Sequence, residues 1–159
     1  MAGSAFAADP RQTAARQCGE NRDWRCAWMN YADFYRDEAD AKLVYSEAAG
    51  PTLGGARVEY VVDRLAEEGD AEEARSAAEL AIDFVSQRHK GTRHLMTSLH
   101  LSRAEACAAL ADSDCAAESV AYLCENQTKL ALPSFVKTEG DRKAFIGRIE
   151  TVLSNCQEH

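Results

Sequence analysis

The residues with the most chemistry to offer are the six cysteines, Cys18, Cys26, Cys107, Cys115, Cys124 and Cys156. An even number in a chain of 159 residues reads as a disulfide framework built in an oxidising compartment. No C-x-x-C occurs, so the spacing of zinc ribbons and thioredoxin-like redox sites is missing. Local closure favours Cys18–Cys26 and Cys107–Cys115, each joining the end of one helix to the start of the next across a short turn. Cys124–Cys156 is then left over, and ties the last helix to the body. With all six paired, no cysteine is available as a nucleophile. His89, His94 and His100 are spaced by five and six residues. Two zinc ligands on one helix face need a spacing near four, so these read as solvated polar residues. The acidic run Glu67, Glu68, Asp70, Glu72 and Glu73 lacks the alternation and glycine bend of a calcium loop. Helix capping and dipole compensation account for it. No G-x-S-x-G, P-loop or G-x-G-x-x-G is present. The expectation is a non-catalytic protein without metal or cofactor.

Composition sets the frame for those residues. Apolar residues make up 46% of the chain, enough for a real core, while aromatics are only 8%. Val, Ile and Thr are sparse and no long alternating run appears, so an all-α fold is expected. The net charge is −8 and the isoelectric point is near 5.0. That excludes the basic face needed to bind nucleic acid, and it disfavours attachment to anionic membranes. No apolar run reaches the ~20 residues that would span a bilayer. Ala5-Phe6-Ala7 resembles the A-x-A end of a signal peptide. Residues 1–7 are therefore expected to be a leader remnant or an expression scar, and residues 8–159 a single all-helical domain. Together these features predict a periplasmic or secreted protein.

The elements are organised around Leu65 to Phe84, LAEEGDAEEARSAAELAIDF. Val58, Val61, Val62 and Leu65 recur at helical spacing as one buried stripe. Gly69 ends that helix, Asp70 caps the next, and Glu72 and Glu73 occupy its first turn. Ala74, Ala77, Ala78, Ala81, Ile82 and Val85 form a second stripe, small enough for close helix approach. Two antiparallel helices on a two-residue turn make an αα-hairpin. On these residues the segment resembles a tetratricopeptide repeat. Gly69 and Asp70 match the family's turn, and Ala74, Ala78 and Ala81 fall where it keeps small residues. Val58, Val62 and Ser86 depart from its pattern. The resemblance covers about one repeat. It implies hairpins stacked as a short right-handed superhelix; a compact helical bundle is the alternative arrangement.

The flanking segments extend the pattern. Thr13 to Gln17 predicts a short helix, and Trp24 to about Val44 a long one. Trp24, Trp28, Tyr31, Phe34 and Tyr35 are expected to anchor the core. Gly50-Pro51 and Gly54-Gly55 mark a flexible link over Ala48 to Gly55. Gln87 to Thr92 reads as a basic connector, followed by a helix from Arg93 to Ala111. Asp114 is expected to cap a helix running from Cys115 to about Leu130. After a loop over Ser134 to Gly140, Asp141 is expected to cap the last helix. The two local cysteine pairs lie 89 residues apart, from 18 to 107, with Gly69-Asp70 near the midpoint. Three hairpins at a period of about 45 residues would explain this. In the tetratricopeptide-like register, Arg57, Glu59, Asp63 and Glu67 would line the concave face, joined by Ser102 and Arg103 from the next hairpin. The expected partner is another protein or peptide, basic on charge grounds and steered by the acidic first helix. The alternative function is a small inhibitor or immunity protein that blocks a cell-wall enzyme with a protruding loop, Ser134 to Gly140 or Ala48 to Gly55.

Overall fold

The computed structural model describes residues 9–38, 43–46, 50–88 and 93–156. The protein is all-α apart from one small sheet. Its helices are α1 (Pro10–Glu20), α2 (Trp24–Asp37), α3 (Val58–Glu67), α4 (Ala71–Arg88), α5 (Arg93–Ala109), α6 (Ser113–Glu125) and α7 (Glu139–Leu153). Strands β1 (Val44–Ser46), β2 (Gly50–Leu53) and β3 (Ala56–Arg57) lie between α2 and α3. The chain divides into two compact units, Met1–Val61 and Val62–His159, parting within α3. The single domain expected over 8–159 carried no such division. The leader-like Ala5-Phe6-Ala7 lies outside the described residues.

One turn is built three times. At the end of α3, Gly69 takes φ +86°, its N–H donates to Ala66 O, and the Asp70 N–H donates to Leu65 O. These paired bonds are a Schellman cap. Asp70 then serves at once as the N-cap of α4, its carbonyl accepting from Ala74 N at 2.8 Å. Arg22 and Asp23 repeat the arrangement between α1 and α2, with φ +59° at Arg22 and a 2.9 Å bond from Asp23 N to Cys18 O. Ala111 and Asp112 repeat it between α5 and α6, with φ +56° at Ala111 and a 2.9 Å bond from Asp112 N to Cys107 O. The left-handed residues stand at 22, 69 and 111, intervals of 47 and 42 residues. The period of about 45 is therefore real at the level of the turns. Asp112 rather than Asp114 caps α6, because its carboxylate accepts from Cys115 N at 3.1 Å. Asp114 sits inside the first turn instead.

The two turns whose left-handed residue carries a Cβ are the two crossed by a disulfide. Cys18–Cys26 and Cys107–Cys115 each join the last turn of one helix to the first turn of the next, with Cα atoms 5.6 and 5.7 Å apart. A non-glycine residue in this region costs about 1–2 kcal/mol. Closing so short a loop stabilises by a comparable or larger amount in the chain-entropy picture. Where the cystine is missing, glycine takes the position. Cys124–Cys156 closes the longer loop, Cα to Cα 5.7 Å. All three expected pairings are present.

In the first unit, α1 and α2 pack together and β2 lies against both. Asp9 caps α1 and also pairs with Arg11, which reaches Asp37 at 2.5 Å. The long second helix stops at Asp37, well short of Val44, because Glu38 turns extended. The link expected to be flexible is instead part of an antiparallel ribbon, β1-β2-β3, with Val44 opposite Thr52 and Leu53 opposite Ala56. Gly54 and Gly55 both have positive φ, 59° and 83°, which makes a two-residue I′ hairpin turn. Thr52 and Leu53 are buried. Gly19 of α1 lies so close to Gly54 that a Cβ would overlap the Gly54 carbonyl. Trp24, Trp28 and Tyr31 are buried as expected, whereas Tyr35 is 41% exposed.

In the second unit, α5 lies between α4 and α6. Leu101, Leu123, Phe145, Ile149 and Val152 form one buried cluster. The segment after α6 is tied down rather than loose. Ala131 N donates to Thr97 Oγ at 3.2 Å, and Leu130, Leu132, Phe135 and Val136 pack on the cluster. α6 ends at Glu125, capped by Asn126, and not near Leu130. Thr138 rather than Asp141 caps α7, its hydroxyl accepting from Asp141 N at 3.0 Å.

The shared turn generates a prediction. Leu65 and Glu73 occupy the positions of Cys18 and Cys26 in the first hairpin and of Cys107 and Cys115 in the third. The double substitution Leu65→Cys, Glu73→Cys should form a fourth disulfide during oxidative folding. Thiol titration of the denatured, unreduced variant should find no free thiol, and peptide mapping should join 65 to 73. Net stability should rise little, because losing buried Leu65 costs ~2–3 kcal/mol, about what a short closure returns.

Candidate functional site

The acidic face expected to be open is largely interior. Glu59 and Asp63 are 0% and 2% exposed, and Ser102 and Arg103 are also buried. Arg57 is half-buried, and Glu67 alone of the six is exposed. The register placed these polar residues opposite the apolar stripe, but α3 and α5 are buried around most of their circumference. Val58, Val61, Val62 and Leu65 are fully covered on α3, and so are Leu99, Leu101 and Cys107 on α5. Asp63 and Arg103 are buried with ionic partners rather than along a groove.

Asp63 and Glu67 nevertheless belong to one constellation. Arg148 of α7 donates from Nη1 to Asp63 Oδ1 at 2.7 Å. It grips Glu105 of α5 through two bonds, Nη2 to Oε1 at 2.5 Å and Nε to Oε2 at 3.1 Å. Its Nη1 also lies 3.7 Å from Glu67. Arg64 completes the set, 2.5 Å from Glu67 and 3.3 Å from Asp63. The guanidinium of Arg148 stacks over the Phe145 ring at 5.4 Å. Burial opposes its charge, but its contacts with Glu105 and Asp63 outweigh that and hold the proton more firmly. A two-pronged clamp of this kind needs the planar guanidinium fork. The cluster opens into a pocket of about 300 Å3, walled by small residues: Ala66, Gly69, Ala71, Ala106 and Ala109. Three carboxylates face two guanidinium groups here. The side chains of Glu67 and Glu105 are 48% and 34% exposed, so their outer faces stay open. Glu105 and Arg148 were not singled out in the sequence. Arg148 carried a readable sign, since it interrupts the buried stripe of Phe145, Ile149 and Val152, and a charge at such a position needs a partner.

The second polar cluster lies inside α5 and α6. Arg103 donates to Ser119 Oγ at 3.0 Å and pairs with Glu79 and Glu118 at 3.5 Å each. His100 Nδ1 lies 3.1 Å from Ser119 Oγ, and its ring stacks on Tyr122 at 3.9 Å. Ser119 Oγ thus bridges Arg103 and His100. Burial, with Arg103 nearby, pushes His100 down to about 4. The Ser–His pair is no nucleophilic site, because Ser119 is fully buried and its oxygen is occupied. His100 is a core residue, while His89 lies outside the described residues. Among the described residues no cluster of His, Cys, Asp and Glu could hold a metal ion.

The two loops considered as an inhibitory plug differ in structure among the described residues. Within Ser134 to Gly140, Phe135 packs edge-on to Phe145 and the last two residues are helical. Within Ala48 to Gly55, residues 50–53 are strand. No helix is long and apolar enough to cross a membrane among the described residues. No protein-family model matches the chain, and no curated protein or solved structure matches it either.

Two outcomes follow from these clusters. Asp63→Lys tests the first of them. In the structure it would set a lysine against Arg148 at a site only 2% exposed. It should destabilise by about 3–5 kcal/mol, the cost of breaking a buried pair, read by denaturant unfolding. For His100, the folded value near 4 lies below the ordinary 6.5. The unfolded chain therefore binds the extra proton between those values, and stability falls as the pH drops from 6.5 to 4. The full linkage is ~3 kcal/mol. His100→Phe keeps the stack on Tyr122 and should remove about one proton from the slope of stability against pH in that window.

Proposed function

We propose that the protein is an exported, non-catalytic helical binding domain that recognises a basic segment of another protein. The observation that carries this reading is the pocket at Glu67, Glu105 and Arg148. Arg148 takes both oxygens of Glu105 and pairs with Asp63, and Arg64 takes Glu67, so three carboxylates share two guanidinium groups and the half-open cluster keeps one negative charge for a further cation. Alanine walls leave room for the stem of a lysine or arginine beside them. The surrounding net charge of −8 steers a basic partner toward the site and raises the association rate. Three cystines suit an oxidising compartment, periplasmic or extracellular, where a small domain gains from staples. The Cys107–Cys115 staple fixes the end of α5 that carries Glu105, and Arg64 and Arg148 hold Glu67, so the carboxylates are in place before the partner arrives and little ordering cost remains.

The test is paired affinity capture from an envelope extract, with the wild-type protein and a Glu67→Gln, Glu105→Gln variant as baits. A basic partner should be retained by the wild type and eluted by moderate salt. The variant should bind it about fivefold more weakly, as expected for two exposed ion pairs. Equal retention by both baits would refute the pocket as the binding site.

A further inference from the structure

The acidic pocket of the second unit takes Glu105, Ala106 and Ala109 of its wall from the last turns of α5. Cys107 stands between them, and its cystine with Cys115 crosses the turn that follows. The bonds that close this turn reach back into the pocket wall. Leu110 N–H donates to Ala106 O at 3.0 Å, Ala111 N–H to Ala108 O at 3.1 Å and Asp112 N–H to Cys107 O at 2.9 Å. The last of these requires Ala111 at φ +56°, a left-handed conformation that alanine disfavours by roughly tenfold. Ala111 is exposed, so its own packing does not hold it there. Gly69 and Ala71 line the pocket from the turn between α3 and α4, which has the same bonds and no cystine. Gly69 takes φ +86° with no Cβ to oppose it. The pocket therefore lies between a turn that closes unaided and a turn that needs a covalent tie. Asp112 carries that closure to both neighbours of α5, capping α6 and lying 3.3 Å from Arg75 of α4.

We propose that the Cys107–Cys115 cystine is a redox lock on the acidic pocket: with both thiols reduced the turn opens and the α5 wall loosens, and oxidation sets it. The reduced chain then binds a basic partner more weakly, a consequence that rests on the function proposed above. The closing step is thiol–disulfide exchange with an oxidoreductase that carries a reactive disulfide. A thiolate of the open turn attacks that disulfide, and the second cysteine displaces the oxidoreductase from the mixed disulfide. The Sγ–Sγ bond forms, and the oxidoreductase takes up two electrons and two protons and leaves as a dithiol. Once closed, Cys107 is fully buried and Cys115 is 8% exposed, so attacking thiols have little access. The lock is thus set once, when the chain reaches an oxidising compartment.

A reductant would open all three cystines, so this pair alone is removed, by Cys107→Ala, Cys115→Ala in the full-length, otherwise oxidised protein. Amide hydrogen exchange is compared with the wild type. The amides of Leu110, Ala111 and Asp112 should exchange about tenfold faster, while those of Glu68, Gly69 and Asp70 at the glycine turn should change by less than about twofold. Adding Ala111→Gly should restore most of the protection, which it would not do if the cysteines mattered only for packing. If the double variant fails to fold, the variant that also carries Ala111→Gly should fold. Unchanged exchange at Leu110 to Asp112, equal acceleration at both turns, no rescue by glycine, or failure of both variants to fold overturns the lock. An acetylated, amidated tetralysine peptide probes the pocket through amide shifts at Gly69, Ala71, Ala106 and Ala109. The double variant should bind it about fivefold more weakly than the wild type, and Ala111→Gly should recover the difference. Equal affinity of these two proteins for a peptide that Glu67→Gln, Glu105→Gln releases overturns the control of binding. No binding by the wild type, or binding indifferent to Glu67→Gln, Glu105→Gln, refutes the pocket as the binding site and leaves the exchange rates to decide the lock.

Discussion

The structure depends on a two-residue turn in which a left-handed residue closes one helix and the following aspartate opens the next. Each helix end leaves several backbone groups without partners. The Schellman bonds satisfy carbonyls of the outgoing helix, and the aspartate satisfies N–H groups of the incoming one. Nothing longer is needed, so the helices it joins are held antiparallel with almost no freedom at the joint. Asp112 carries this further. One of its oxygens caps α6 and the other lies 3.3 Å from Arg75 of α4, so a local cap also becomes a tertiary contact.

Rigid joints permit a polar interior. α5 buries Thr97, Ser98, His100, Ser102 and Arg103 alongside its leucines, an expensive set to take out of water. Ser119 is shared by His100 and Arg103, and Glu79 and Glu118 flank the guanidinium from α4 and α6. Burying such a network requires every partner to be held in register, and hairpins closed by cystines provide that. The Arg148 clamp has the same character at the edge of the unit. Part of it is buried and structural, through Asp63. Part of it, Glu67 and Glu105, reaches solvent with charge to spare.

Local pattern determined the helices, the central hairpin, the cystine pairing and the period of about 45 residues. Each depends on neighbours within a turn or two, where spacing and cap chemistry act directly. Gly69 announced its turn because glycine is the default left-handed residue. Arg22 and Ala111 did not, since nothing in their type favours that conformation, and a cystine beside each holds it. The β ribbon escaped notice because strands of three, four and two residues are too short to show alternation. The face assigned to Glu59, Asp63, Ser102 and Arg103 was decided only by tertiary structure. Helical periodicity separates apolar from polar positions, but it does not say whether the polar side meets water or another helix. That depends on which partner arrives from far along the chain, as Arg148 arrives at Asp63 from 85 residues away.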